Sequence, residues 1–263
     1  MKDIKQQRKK NIIKQNENNE NIIFGRNPVI EAIKSGRNIE KLFVLKDPEG
    51  SLKMIISMAK GKGFVVSEVD RKKLDELSGM QNHQGVVALV SSYEYSTIDD
   101  ILSFAKIKNE DPFIIILDEI EDPYNMGSII RSANACGVHG VIVPKRRSAL
   151  ITASVAKASA GAIEYTKIAK VTNINQTLRE LKDKGLWIIG TDVNGQVCYK
   201  TDLKGPVAIV IGSEGKGISR LVRENCDIIV SIPIKGQINS FNASVAAGII
   251  MYEVLRQRGI KSE

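Results

Sequence analysis

Continuous apolar stretches of β-strand length recur through the C-terminal half of the chain, and helix-like segments separate them. The apolar stretches are residues 113–118, 140–144, 186–192, 207–212 and 228–234. Strands that are apolar on both faces are typical of a parallel sheet that helices cover on both sides. The pattern therefore predicts an α/β domain with a parallel sheet over residues 111–258.

The N-terminal half shows a tighter alternation of apolar strands and amphipathic helices. The predicted strands are residues 41–45, 64–69 and 86–93, and the predicted helices begin at Pro28, Ser51 and Arg71. Asn27 is the expected N-cap of the first helix, with Pro28 at its first position and Gly36 at its end. These elements predict a small α/β domain over residues 21–95.

Two polar segments flank this small domain. Residues 1–20 are rich in Asn, Gln and Lys and lack an apolar face, which is typical of a disordered basic tail. Residues 96–110 are expected to connect the two domains and to contain a short helix of their own.

The composition narrows the class of protein. The chain has 263 residues, of which 43% are hydrophobic, and no apolar run approaches the roughly 20 residues that a membrane span requires. The three cysteines, Cys136, Cys198 and Cys226, have neither a disulfide-framework nor a zinc-site spacing, so we expect no metal and a reducing, cytoplasmic location. The net charge of +8 favours contact with a polyanion such as RNA.

The first of three unusual strand ends lies in LDEIEDPYNMGSIIRSANACG, and strand ends of open α/β sheets are where ligands bind. Asn125 begins a helix here, and Arg131 follows among Ile130, Ala133 and Ala135. Asn125 as a plain N-cap and Arg131 as a surface residue are the simplest interpretation. However, a guanidinium on an apolar face needs an anionic partner, because burial of an unpaired charge is costly. A bound phosphate or carboxylate would supply that partner.

The second strand end lies in VAIVIGSEGKGIS, where Gly212 is followed by glycines at positions 215 and 217. Glycines allow a ligand to approach the backbone. A phosphate loop is excluded because Ile218 replaces its lysine, and Glu214 would repel phosphates. The pattern favours a ligand with a ribose hydroxyl or a cationic group, although a tight strand-to-helix turn would also explain this loop taken alone.

The third strand end lies in IPIKGQINSFNASVAAGI, which places many amides and hydroxyls between an apolar strand and a small-residue helix. Ser240 or Asn242 is the expected N-cap of that helix. An N-cap explains only one of these polar residues. Buried polar groups that cluster usually hydrogen-bond a ligand or a neighbouring backbone. Three such loops at one sheet edge predict a binding cleft.

Together these three stretches resemble the motifs of the SpoU (TrmH) family of RNA ribose 2'-O-methyltransferases, in the SPOUT class. DPYNMGSIIRSANACG resembles the first motif, VIGSEGKGIS the second and IPIKGQINSFNASVAAGI the third. The N-terminal domain begins FGRNPVIEAI, ends NHQGVVALV, and resembles the L30e-like RNA-binding domain of one branch of the family. That branch includes the 23S rRNA guanosine 2'-O-methyltransferase.

The resemblance implies S-adenosylmethionine as cofactor, a homodimer and a deep C-terminal trefoil knot. It also implies methylation of a ribose 2'-hydroxyl in RNA, with a guanosine of 23S rRNA as the expected target. By motif position it also implies two groups of site residues. The expected cofactor-binding residues are Gly212, Ile232 and Phe241, and the expected catalytic residues are Asn125, Arg131, Glu214, Ser240 and Asn242. Arg131 is the general base in proposals for the family, but a guanidinium essentially never loses its proton. We therefore expect it to hold an RNA phosphate and to stabilise developing alkoxide charge.

Other interpretations of the sequence remain open. A tRNA ribose 2'-O-methyltransferase and a non-catalytic rRNA-binding assembly factor would share the fold. A nucleotide-dependent oxidoreductase would need an early G-x-G-x-x-G, which is absent. The only histidines, His83 and His139, are expected to be structural, with RNA contact an alternative for His83. The basic run Lys145, Arg146 and Arg147 is interpreted either as an RNA contact or as a solvated loop.

Overall fold

A computed structural model describes residues 22–90, 93–237 and 240–259. The predicted tail, residues 1–20, lies outside the described part of the chain. The fold consists of two compact units that divide between Glu94 and Tyr95. None of the described helices combines the length and the hydropathy that crossing a lipid bilayer requires.

The first unit is a four-stranded sheet with three helices. Its elements are β1 (Ile22–Phe24), α1 (Arg26–Lys34), β2 (Ile39–Leu45), α2 (Ser51–Gly61), β3 (Val66–Val69), α3 (Arg71–Leu77) and β4 (Val86–Val90). The strand order is β1-β4-β2-β3, with β2 and β3 parallel and the other pairs antiparallel. Buried apolar residues from α1, α2, β2 and β4, including Val29, Ile55 and Leu42, form its core. The small α/β domain predicted from the sequence is confirmed.

The start of α1 differs from the prediction that Asn27 is its N-cap. The helix begins at Arg26, and Gly25 occupies the cap position with φ of 90° and no side-chain cap. The backbone N–H of Arg26 instead donates to Gln84 Oε1 at 3.0 Å. A side chain from a distant loop thus satisfies a helix-terminal donor that a local cap residue was expected to satisfy.

The second unit is a six-stranded parallel sheet covered by helices. Its elements are α4 (Ile98–Ile107), β5 (Phe113–Asp118), α5 (Pro123–Ala135), β6 (Gly140–Pro144), α6 (Ala153–Ala158), β7 (Lys167–Val171), α7 (Ile174–Asp183), β8 (Trp187–Val197), β9 (Val207–Gly212), α8 (Arg220–Glu224), β10 (Ile228–Ser231) and α9 (Ala243–Arg258). The strand order is β10-β8-β9-β5-β6-β7, and each neighbouring pair is parallel. The predicted parallel α/β fold is confirmed.

The segment expected to connect the domains packs into the second unit. Its helix, α4, is capped by Thr97 in a capping box with Asp100. Ile101 of this helix is fully buried in a core cluster with Ile142 and Leu178. Ser96, just before the helix, forms a parallel bridge to the edge strand β7.

The end of α9 is fastened to the segments that precede β5 and β9. Arg258 Nη1 donates to Asp111 O at 2.8 Å, and its Nη2 donates to Pro112 O at 3.2 Å and to Gly205 O at 2.6 Å. The guanidinium lies over the ring of Phe113, 5.2 Å from the centroid, and burial lowers the pKa of Arg258. The strand order by itself does not test the trefoil knot, which stays a prediction.

Candidate active site

The carboxyl ends of β10, β8, β9 and β5 lie next to one another along one edge of the parallel sheet. Ligand sites of α/β domains occur at this edge. Asp118, the last residue of β5, accepts a hydrogen bond at Oδ2 from the backbone N–H of Ser219 at 2.7 Å. This bond ties the first of the three predicted loops to the second.

A hydrogen-bonded cluster joins all three loops. Asn125 Nδ2 donates to Glu214 Oε1 at 3.0 Å, and Asn242 Nδ2 donates to Asn125 Oδ1 at 3.0 Å. Asn242 Nδ2 also makes a short hydrogen bond to Glu214 Oε1, which the backbone N–H of Ala243 reaches at 3.4 Å. All of these bonds to the carboxylate use Oε1. Within the described residues, Glu214 Oε2 is therefore left for another donor.

The orientation of the Asn242 amide is determined by the start of α9. Its Oδ1 accepts from the backbone N–H of Ser244 at 2.9 Å, from Ser244 Oγ at 2.6 Å and from the N–H of Val245 at 3.3 Å. Because the oxygen caps the helix, the Nδ2 donors point to the cluster. Of the two expected cap residues, Ser240 and Asn242, the structure uses Asn242.

Asn125 is positioned by the first turn of α5. The N-cap of this helix is Asp122 rather than Asn125, which the sequence suggested, and Asp122 Oδ2 accepts a hydrogen bond from the Asn125 N–H at 2.9 Å. Pro123 occupies the first turn, where its missing N–H costs nothing. Two residues after Asn125, Gly127 packs so closely on α6 that a Cβ there would lie 2.8 Å from Val155 O. Close packing against α6 thus fixes the helix that carries Asn125.

The glycine loop after β9 folds back on itself. The Ser213 N–H donates to Gly217 O at 3.2 Å, and the Gly217 N–H donates to Ser213 O at 2.9 Å. Gly215 and Gly217 have φ of 80° and 66°, values that residues other than glycine rarely adopt. A Cβ on Gly212 would overlap the backbone of Gly217 and Ile218. Only glycine at position 212 therefore allows the loop to fold back against the end of β9.

A cavity of about 300 Å³ lies beside the cluster. The expected site residues Gly212, Glu214, Ile232, Ser240 and Phe241 all line it. The wall also contains the apolar side chains of Ile211, Val230, Ile234, Ala246 and Ile250 and the polar residues Thr191, Asp192, Ser213 and Lys216. Its size is at the lower end of the range for small-molecule sites, and its mixed lining is typical of them.

Thr191 and Asp192 were not identified from the sequence. Asp192 Oδ1 accepts from the Asn194 N–H at 2.9 Å, and Arg223 Nη1 makes a short ion pair with Asp192 Oδ2. Thr191 Oγ1 donates to Val210 O at 2.9 Å. Both residues were counted in the apolar run 186–192, although they are the polar pair at its end. This signal is much weaker than the polar groups of the other three loops.

Arg131 lies farther along α5 and is exposed. No hydrogen bond or ion pair joins it to another described residue. The expectation that its guanidinium is buried on an apolar face, and therefore requires an anion, was wrong, because the side chain points to solvent. Glu214 does not pair with it but bonds Asn125 and Asn242. Ser240 is exposed at the cavity and likewise has no hydrogen bond to the described residues.

The two histidines are buried and share one bonding pattern, in which Nδ1 accepts a backbone N–H and Nε2 meets a carboxylate. The partners are Gly85 N at 3.0 Å and Asp75 Oδ1 at 3.1 Å for His83, and Phe113 N at 3.0 Å and Glu110 Oε2 at 3.0 Å for His139. Burial lowers the pKa of His139, which favours the neutral ring that this pattern requires. Both rings serve the fold.

In the basic run after β6, Arg147 is already paired. Its Nη1 lies 2.6 Å from Glu119 Oε1, and its side chain remains largely exposed. The contact of Lys145, Arg146 and Arg147 with RNA stays a prediction.

Comparison with known proteins assigns both units. Residues 112–252 match the model of the SpoU rRNA Methylase family, and residues 22–96 match the model for RNA 2'-O ribose methyltransferase substrate binding. The chain belongs to the SpoU methylase family. It is 49% identical over 238 residues to a Bacillus subtilis protein, "Putative TrmH family tRNA/rRNA methyltransferase YacO", and the match covers 90% of this chain and 95% of that protein.

Solved structures of SpoU methyltransferases match this chain over different lengths. AviRb from Streptomyces viridochromogenes, crystallised in complex with the cofactor AdoMet, has 26% identity and a TM-score of 0.58, and the match covers 90% of each chain. A TrmH/SpoU tRNA modifying enzyme of A. aeolicus has 30% identity and a TM-score of 0.52, over 57% of this chain and 76% of that one. The family comprises RNA methyltransferases that use S-adenosylmethionine.

Proposed function

We propose that this protein methylates a ribose 2'-hydroxyl of RNA with S-adenosylmethionine as methyl donor. The observation that carries the proposal is the hydrogen-bonded cluster of Asn125, Glu214 and Asn242, which joins three separate loops and whose Glu214 lines the cavity. A cluster of this kind would position a hydroxyl beside a small molecule held in the cavity.

The cavity fits the cofactor. Gly212 exposes backbone where a side chain is sterically forbidden, and Ile232 and Phe241 offer apolar walls for an adenine ring. When bound, S-adenosylmethionine supplies a methyl group already activated by a sulfonium. The task of the chain is then to place the hydroxyl in line with it, and positioning alone contributes several kcal/mol.

The polar residues divide this task. The Asn125–Asn242 pair would orient the ribose hydroxyl, because both amides are fixed. Glu214 and Asn242 hold the Asn125 amide, and the start of α9 holds the Asn242 amide. Ser240, at the cavity, would donate to or accept from the same nucleotide. Arg131 is exposed and makes no ion pair within the described residues, so it would hold the adjacent phosphate and stabilise the charge that develops on the hydroxyl oxygen.

For the RNA target we propose a guanosine of 23S rRNA. The support is the first unit, which matches a substrate-binding model of the family. A tRNA target is the alternative, since relatives carry the name tRNA/rRNA methyltransferase. A non-catalytic rRNA-binding factor is disfavoured by the intact polar cluster and by Arg131. The three unpaired cysteines support a reducing, cytoplasmic location.

We also propose a homodimer that uses α9. Phe241, Val245, Ile249 and Tyr252 recur at helical spacing, and 37–56% of each residue is exposed. Phe241 also lines the cavity, so a second copy on this stripe would border the cofactor. Sedimentation should give twice the chain mass, and Val245→Glu should give the monomer. A wild-type monomer would refute this part.

The deciding experiment for the function is mass spectrometry of rRNA and tRNA from cells that lack the gene. One missing ribose methyl, restored by the purified protein and S-adenosylmethionine, is the expected result. Unchanged methylation in both RNAs would contradict the proposal. A methyl missing from tRNA alone would show that the target is a tRNA and not 23S rRNA.

A further inference from the structure

Asp192 is a carboxylate in the cavity wall that has no assigned role. Its Oδ1 accepts the Asn194 N–H, and its Oδ2 pairs with Arg223. The side chain is 20% exposed. Two partners on two oxygens hold the carboxylate in one orientation, with lone pairs remaining for a ligand.

The two carboxylates of the cavity differ in charge compensation. Arg223 neutralises Asp192, whereas Glu214 makes only amide and backbone hydrogen bonds and no ion pair within the described residues. A cationic ligand group therefore gains more at Glu214. A neutral hydroxyl requires only an acceptor, which Asp192 supplies.

We infer that Asp192 accepts hydrogen bonds from the ribose hydroxyls of S-adenosylmethionine, and that the cationic methionine end lies toward Glu214. Asp192 follows Gly190 in β8, whose neighbours in the sheet are β9, which ends at Gly212, and β10, which ends just before Ile232. It thus stands between the two strand ends expected to hold the adenosyl group. This inference rests on the proposed function and adds a residue that determines ligand specificity.

The test is a calorimetric double cycle with the full chain. S-adenosylhomocysteine and its 2',3'-dideoxy analogue are each titrated into wild type and Asp192→Asn. We expect about tenfold weaker binding of S-adenosylhomocysteine by the variant, because hydrogen bonds to a charged acceptor are lost. The dideoxy analogue should bind both proteins equally.

Asp202→Asn is the matched control, because Asp202 accepts the N–H two residues along, as Asp192 does, but lies outside the cavity. It should bind both ligands as wild type does. Asp192→Ser is a second variant in case the first does not fold, with folding checked by thermal melting without ligand.

Two outcomes would overturn the inference. If Asp192→Asn binds S-adenosylhomocysteine as tightly as wild type, the carboxylate does not contact it. If the variant loses affinity for both ligands by the same factor, Asp192 acts on the methionine end or on cavity shape rather than on the hydroxyls. A wild type that binds neither ligand would instead refute the cofactor proposal itself.

Discussion

Asn242 Nδ2 donates a hydrogen bond to Asn125 Oδ1 over 3.0 Å, although 117 positions separate the two residues in the sequence. Each asparagine stands at a helix start, and each also donates to Glu214 Oε1. The amide donors therefore serve the site, while the Asn242 oxygen serves the helix. This division of roles makes the two functions separable by mutation.

Replacing Asn242 separates helix capping from catalysis. Asn242→Ser keeps a capping oxygen but loses the donors to Asn125 and Glu214, so methyl transfer should fall about a hundredfold with little loss of stability. Asn242→Ala should lose the same activity and about 1 kcal/mol of stability in addition. Transfer of labelled methyl to unmodified RNA and chemical denaturation measure the two effects. Near-normal activity of Asn242→Ser would remove the cluster from the mechanism.

Gly212→Ala should abolish cofactor binding. The added Cβ would overlap the backbone of Gly217 and Ile218, so the loop must move out of its place beside the cavity. Gly205→Ala is the matched control in the same unit, because a Cβ there meets nothing within 4 Å. Titration with S-adenosylhomocysteine should show at least a hundredfold loss for Gly212→Ala and none for Gly205→Ala. Equal affinity in the two variants would show that the loop does not border the cofactor.

The sequence predicts the parallel sheet well because its central strands are apolar on both faces. β5, β6 and β9 begin and end where their apolar runs do. β7 was missed because it reads KIAKV, and its lysines interrupt the apolar run. It is an edge strand, and charged residues are common at edges.

From the sequence, the site residues can be assigned to strand ends, but their contacts with one another cannot be predicted. The sequence indicates that Asn125, Glu214 and Asn242 follow strands, but their mutual hydrogen bonds depend on the tertiary arrangement. For the same reason Gln84, far along the chain, replaces the expected local cap of α1. Arg131 was expected to be buried because its neighbours in sequence are apolar, whereas its own side chain points outward.

The pH dependence of Arg131 variants should decide between a general base and an electrostatic role. Arg131→Ala should leave stability within about 0.5 kcal/mol of wild type, since the residue is exposed, and should lower methyl transfer strongly. Arg131→Lys should retain part of the activity with an unchanged pH–rate profile if the charge holds a phosphate. A base would behave otherwise, because a lysine has a lower pKa than an arginine and would shift the profile to lower pH.

Acidification should destabilise the second unit through His139. The pKa of this ring lies below its ordinary value of 6.5, chiefly because of burial, while Glu110 acts in the opposite direction. The unfolded chain therefore binds the proton first as pH falls below about 6.5, and stability decreases until the folded-state pKa is reached. The free energy of unfolding should fall by at most about 1.4 kcal/mol per pH unit for this one proton.

The comparison for this effect is His139→Asn, which offers Oδ1 near the position of Nδ1 to the Phe113 N–H and does not titrate. The variant should be less stable than wild type at pH 8, because it leaves a small cavity and loses the bond to Glu110. Its stability should depend less on pH as the pH falls below about 6.5. His83 is present in both proteins, so the difference between the two slopes belongs to His139 alone. Parallel slopes would mean that the ring becomes protonated as readily in the folded protein as in the unfolded chain, and that the Phe113 N–H does not restrict it to the neutral form.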